Sequence, residues 1–305
     1  MERIRKTATE FYLLRKGIND MKNVLRTLIF NDEVSLTIAD TTEIVREGIR
    51  LHNLTPASAY VYGRGMSALT YMSACLKEES GEISLSLKCE GEAEDIGISG
   101  NRALRMRGYI ANTKIEGGAN YESELRALGN DGSMTIIRND GYSRPFVGSC
   151  AFPQQLSIDD IFEEYYRVSE QLPTYIATVV EIDDNGVCAF AGVLALQPLP
   201  FASEETLDKV WSTDLYEILE TLKGSSVEEV VKTNFADHGK VWDIRKAEYK
   251  CNCSRDYLKG VLVTLGEGQL REIVEGEGAV RVHCHYCNTD YAFTGEDIDE
   301  LFKKK

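Results

Sequence analysis

Two tight cysteine pairs near the C-terminus constrain this chain more than any other feature. They read Cys251-Asn252-Cys253 and Cys284-His285-Tyr286-Cys287, with residues 254–283 between them. Four thiolates meet the tetrahedral demand of structural zinc at Zn–S distances of about 2.3 Å, and each short turn can deliver two sulfurs to one ion. The intervening pattern predicts a helix over Arg255–Leu265, a second around Leu270–Val274, and a strand Ala279–His283 leading into the second pair, with Tyr291–Phe293 leading out. Residues 245–305 are therefore expected to form a small domain held by Zn2+ on Cys251, Cys253, Cys284 and Cys287. His283 and His285 flank Cys284 and could substitute as ligands, but four cysteines already complete the site. On spacing alone such a cluster reads as a fixed knob without chemistry.

The other four cysteines, Cys75, Cys89, Cys150 and Cys188, are scattered singly through apolar surroundings and read as buried fillers. The opening MERIRKTATEF has no following apolar run, which argues against a secretory signal, and Glu2, Glu10 and Asp20 count against a mitochondrial-type presequence. The expected compartment is cytoplasmic, where thiols stay reduced or hold metal. Val187–Leu196, the longest nearly unbroken apolar run, is half a membrane span, so no membrane partner is expected. Thirty-four Lys and Arg against 49 Asp and Glu give a net charge of −15, and no basic patch emerges, which disfavours nucleic acid.

Residues 1–197 read as one mixed α+β domain on an antiparallel or mixed sheet. Val24–Phe30 could be a strand; Asp40 with Glu43 caps a helix to about Leu51, and a second helix runs from Pro56 to Lys77. Ile83, Leu85 and Leu87 then alternate with polar residues as in a half-buried strand, and further strands are expected at Leu104–Ala111, Met134–Arg138 and Pro145–Phe152. Ser157 with Asp160 forms a capping box for a helix Ile158–Gln171. A hairpin follows, Thr174–Ile182 and Val187–Leu196 about the turn Asp183-Asp184-Asn185-Gly186. Gln197-Pro198-Leu199-Pro200 marks a boundary.

Beyond it, residues 198–244 form a helical linker. Leu207, Val210, Trp211, Leu215, Ile218, Leu219 and Leu222 share one helical stripe, and Ser226 with Glu229 caps a shorter helix ending near Ala236. Two short amphipathic helices cannot bury their own stripes, so the segment must dock elsewhere, either as a domain extension or as a conditionally docked linker.

The one-residue gap in Cys251-Asn252-Cys253 is unusual, and the run from Tyr249 to Ile298 resembles the zinc domain of the redox-regulated heat shock protein 33 family of holdase chaperones. Leu54–Leu69, Leu104–Asn112 and Tyr165–Thr174 resemble that family's core domain, so the resemblance extends from about Leu25 to the end. The chain departs from the family pattern at Glu90-Gly91-Glu92-Ala93, at Thr113 and in the loop Ala151–Ser157. The resemblance implies an ATP-independent holdase, inactive when reduced and zinc-loaded. The four cysteines would then be both ligands and redox switch, forming the disulfides Cys251–Cys253 and Cys284–Cys287 on oxidation. It further implies unfolded clients as partners, a homodimer when activated, and transfer of clients to ATP-dependent chaperones. Loss of the metal would release the stripe of Leu207, Val210, Trp211, Leu215 and Leu219 as client-binding surface.

The competing class is a constitutive zinc-stapled adaptor for one fixed partner. An enzyme is disfavoured by the lack of a nucleophile–base constellation. Gly63-Arg64-Gly65-Met66-Ser67-Ala68 fits a dinucleotide pattern in letters only, because it lies inside a helical pattern. No histidine has Glu two residues on, as zinc deaminases require.

Overall fold

The computed structural model describes residues 22–303 apart from 153, 184 and 241. The opening segment used for the leader reading and the turn residue Asp184 lie outside the described residues. The fold is α+β and contains two large sheets. The first has strands β1 (Val24–Ile29), β2 (Val34–Asp40), β8 (Tyr175–Ile182), β9 (Cys188–Pro198) and β10 (Asp243–Arg245), in the order β10-β1-β2-β9-β8. The second has β3 (Glu82–Cys89), β4 (Asp95–Asn101), β5 (Arg105–Ile110), β6 (Gly132–Asn139), β7 (Phe146–Ala151) and β11 (Glu248–Tyr249), in the order β11-β5-β4-β3-β6-β7. Every pairing in the two sheets is antiparallel except β11 with β5.

Helix α1 (Thr42–His52) and the central helix α2 (Pro56–Ala74) pack between the sheets. The Asp40 cap is displaced by one residue: Thr41 occupies the N-cap, while Asp40 Oδ1 accepts from the Thr42 amide at 2.9 Å. Pro56 begins α2 as its fixed φ favours, but the helix stops at Ala74, short of Lys77. All of α2 except Pro56 and Tyr60 is buried, so it can carry no polar face. Its glycines serve close packing. A Cβ on Gly63 would lie 2.9 Å from Val45 on α1, and one on Gly65 would lie 3.1 Å from Ile98 on β4. The dinucleotide-like letters therefore sit in mid-helix.

One cation is buried in that helix. Arg64 donates through Nη1 to Glu124 of α3 (Tyr121–Leu128) at 2.6 Å, through Nη2 to Asp159 at 2.6 Å, and through Nε to Thr178 at 2.9 Å. Asp159 lies on α4 (Ile158–Tyr165), which opens with the expected Ser157–Asp160 capping box. That helix ends at Tyr165 and continues only as one wider π-type turn, Tyr166–Glu170, so the regular helix is shorter than the expected run to Gln171.

The segment after the prolines holds three helices, α5 (Glu204–Ser212), α6 (Leu215–Thr221) and α7 (Val227–Asn234). The single expected stripe breaks at Thr213-Asp214, because Asp214 caps a new helix by accepting from the Glu217 amide. Together these helices cover the face of the first sheet turned away from α2, placing Val210, Leu219, Val230 and Phe235 against Leu25, Leu36, Ile38 and Leu194. Strands β2 and β9 are thus buried on both faces. The C-terminal part adds α8 (Arg255–Val263), α9 (Glu267–Glu277), the hairpin β12 (Val280–Cys284) with β13 (Thr289–Phe293), and α10 (Gly295–Phe302). Its own apolar core has five buried members, Leu262, Leu270, Val280, Phe293 and Ile298. A core that small is below what usually holds a domain without a staple.

Candidate metal centre

Each cysteine pair leaves a regular element directly. Strand β11 runs parallel to Arg105–Met106 of β5, and the Lys250 amide donates to the Met106 carbonyl at 2.8 Å, so Cys251 emerges from the edge of the core sheet. Ser254 then caps α8 by accepting from the Tyr257 amide. On the other side β12 ends at Cys284, which stands opposite Thr289 in the hairpin, and Asn288 makes the turn in the left-handed region. The four sulfurs consequently lie within 4.8 Å of one another. Cys251 and Cys284 are 3.7 Å apart and Cys253 and Cys287 are 3.0 Å apart. Sulfurs on a tetrahedral zinc at ~2.3 Å stand about 3.8 Å from each other, close to the Cys251–Cys284 spacing and wider than the Cys253–Cys287 one, so the donor set is of the size and chemistry that could hold such an ion.

The thiols are half-buried and electrostatically unequal. Burial pushes Cys251 up to about 11 and drives Cys287 up as well. Burial also acts to raise Cys253, but sulfur contacts from Cys287, a hydrogen bond from the Tyr291 hydroxyl at 3.3 Å, and contacts from Cys251 and Cys284 outweigh it and bring the thiol down to about 7. His283 is engaged with Asp290 at 2.8 Å, and the His285 ring packs on Tyr109 at 5.6 Å. Neither histidine belongs to the metal-capable group, which among the described residues contains the four cysteines alone. Cys89, Cys150 and Cys188 have thiols raised by burial to about 12, 11 and 12, which makes them poor nucleophiles.

The residues expected to form a client surface are divided. Val210, Leu215 and Leu219 are buried against the first sheet, Leu207 is half-buried, and Trp211 is 67% exposed with its ring edge-on to Tyr175 at 4.4 Å. Two features went unseen in the sequence. One is the Arg64 cluster, which the linker also joins: the Tyr216 hydroxyl of α6 donates to Asp159 at 2.7 Å. An arginine between two glycines in an otherwise apolar helix was the available signal. The other is Tyr286, between two of the cysteines, whose carbonyl and ring both meet the core.

These features define a two-sheet α+β protein carrying a cluster of four cysteines that could hold a metal ion, on a weakly cored appendage. The family model described as "Hsp33 protein" matches residues 22–294, and the chain belongs to that family. A 33 kDa chaperonin of Clostridium novyi is 31% identical over 287 residues, covering 92% of this chain and 97% of that protein. A 33 kDa chaperonin of Bacillus pumilus is 30% identical over 292 residues, covering 92% and 98%. Among solved structures, the 33 kDa chaperonin from Thermotoga maritima superposes with a TM-score of 0.78 at 25% identity, covering 92% of this chain and 98% of that one. Among the described residues no helix is long and apolar enough to cross a membrane.

Proposed function

We propose that this protein is a redox-regulated, ATP-independent holdase that is inactive while reduced and zinc-bound. The observation that carries the reading is four thiols within 4.8 Å on an appendage whose apolar core has five buried members. A structural zinc contributes roughly 10–16 kcal/mol in small peptides, whereas a unit of this size has a few kcal/mol of its own, at about 0.05–0.15 kcal/mol per residue. The appendage is therefore folded only while its thiolates hold an ion.

Hypochlorous acid or peroxide would join the thiolates as disulfides, near neighbours pairing by analogy with the family as Cys251–Cys253 and Cys284–Cys287. Each disulfide passes two electrons to one oxidant molecule, which leaves as chloride and water or as two waters. The metal donors are then gone, and residues 251–303 lose their fold. The linker, residues 198–244, loosens from the core of residues 1–197 and exposes Leu207, Val210, Leu215 and Leu219 beside the already exposed Trp211. Apolar surface on so acidic a chain suits retention of partly unfolded clients in soluble form. A cytoplasmic setting, dimerisation on activation and hand-over to ATP-dependent chaperones complete the reading by analogy with the family.

The test is light scattering of a heat-unfolded client with reduced and with hypochlorous acid-treated protein. Suppression only after oxidation, with one zinc and four thiols lost per chain and both restored by dithiothreitol and zinc, is expected. Unchanged hydrophobic-dye binding after oxidation would overturn it, and indifference to unrelated clients in both states would point to an adaptor.

A further inference from the structure

The second cysteine pair does not hang free of the core. The Tyr286 carbonyl, between Cys284 and Cys287, accepts from His52 Nε2 at 3.2 Å and from the Tyr249 hydroxyl. His52 is buried at the end of α1, and its Nε2 also lies 2.9 Å from the Gly108 carbonyl on β5. Both neighbours of that nitrogen are carbonyl oxygens, which only accept, so Nε2 carries the proton. The Tyr286 ring lies under the Arg107 guanidinium at 4.8 Å and edge-on to Tyr109 at 5.6 Å. Asn288 donates to the Leu51 carbonyl at 2.9 Å, satisfying one of the acceptors that the end of α1 leaves open. Tyr249 itself lies two residues before Cys251, on the strand paired with β5. One node on the core, around Gly108, thus touches the chain beside both halves of the metal site.

We infer that the core clasps the metal turn through Tyr286, with His52, Tyr249 and Tyr109 as positioning residues that set how readily the ion leaves. The inference rests on the zinc reading above. A turn closed on the ion fixes the direction of the Tyr286 carbonyl, and a turn without it is free to swing. The clasp must then favour the loaded geometry, and by reciprocity an intact clasp must tighten binding of the ion, which slows its loss where the rate of capture is unchanged. This face of the core is by this account part of the sensor, because loosening the contacts around Gly108 lowers the threshold for metal release before any thiol is oxidised.

The experiment uses the full-length, reduced, zinc-loaded protein and follows transfer of zinc to a coloured chelator without oxidant. Tyr286→Ala removes the ring contacts, and Tyr249→Phe removes one hydroxyl while leaving the β11 pairing intact. Each is expected to speed transfer on the order of tenfold, within the usual range of coupling between sites, and Tyr286→Phe is expected to restore the wild-type rate. Release within twofold of wild type for both Tyr286→Ala and Tyr249→Phe would overturn the clasp. A second readout is the slowly exchanging His52 Nε2 proton in nuclear magnetic resonance spectra. Its resonance should shift when zinc is chelated, because the Tyr286 carbonyl leaves while the Gly108 carbonyl stays, and an unshifted resonance after chelation would equally overturn the coupling. A protein that shows this behaviour yet fails to protect clients would defeat the holdase reading and leave the clasp standing.

Discussion

The molecule holds two polar clusters of opposite design. Around Arg64, two carboxylates and a hydroxyl are buried and joined by the chain's own hydrogen bonds. Asp159 accepts from Arg64, from the Thr178 amide and hydroxyl, and from Tyr216, and Glu124 accepts from Arg64 and the Ile158 amide. Around Cys251 the four sulfurs are half-buried and meet mainly one another. The first cluster is complete with what the fold supplies, while the second is arranged so that it could hold an ion from outside. On the proposed function, the difference would make the core permanent and the order of the appendage conditional.

The largest effect should come from the second cluster. Replacing Cys284 with Ser, or stripping the ion with a strong chelator, is expected to unfold residues 251–303 while the two-sheet core remains. Hydrogen exchange read by mass spectrometry checks this, and full protection of α9 and β12 after chelation would break the comparison. Breaking the first cluster should instead cost the core itself. Arg64→Ala leaves Glu124 and Asp159 buried without their cation, a loss of about 3–5 kcal/mol for such pairs. Urea unfolding should show a lowered core midpoint with zinc retention unchanged, and an unshifted midpoint would show that the cluster relaxes or takes up water.

The same contrast explains what was legible in the sequence. The cysteine cluster is local in sequence: the members of each pair are one or two residues apart, and cysteine spacing carries its own chemistry. The Arg64 cluster joins residues 64, 124, 159, 178 and 216, and no spacing rule connects positions so far apart. Strand β2 was open to reading, since Val34, Leu36 and Ile38 alternate with Ser35 and Thr37; what the sequence does not show is its burial on both faces, with Val34, Leu36 and Ile38 toward the linker helices and Ala39 toward the main core. Strand β4 was hidden by Gly97 and Gly100, which read as turn residues. In the fold they make room instead, since a Cβ on Gly97 would meet the Tyr109 ring and one on Gly100 would meet Ser73 and Met106. Strands β10 and β11 are too short to read, yet they stitch the chain back onto both sheets just before Cys251.

A pH experiment sharpens the picture of the core cluster. Burial raises the Glu124 carboxyl to about 7, and Arg64, shared with Asp159, only partly offsets it. An acid raised in the folded state is favoured while protonated. Its contribution is full below about 4.5, falls as pH rises to about 7, and is then lost. Glu124→Gln should therefore flatten the pH dependence of core stability across that window by up to about 3 kcal/mol. Parallel wild-type and variant curves from pH 4.5 to 7 would contradict it.

The smallest expected effect tests the one bond by which the linker enters the core cluster. Tyr216 is half-exposed, but its hydroxyl reaches Asp159, the same carboxylate that holds Arg64 and Thr178. Tyr216→Phe deletes that donor and leaves Asp159 with its three other bonds, so the core should keep its stability to within about 1 kcal/mol. The linker, however, loses a polar tie to the core in addition to its apolar contacts. Its opening should become easier by a similar amount, a factor of about five in the population of the released state. Hydrogen exchange confined to α5–α7, in reduced and zinc-loaded protein, isolates that change. Faster exchange there with an unchanged core would place the linker's hold partly in Tyr216. Equal exchange would assign it to the apolar contacts of Val210, Leu215 and Leu219 with the first sheet and to the ties of Ser203 to Glu33 and of Lys223 to Glu181.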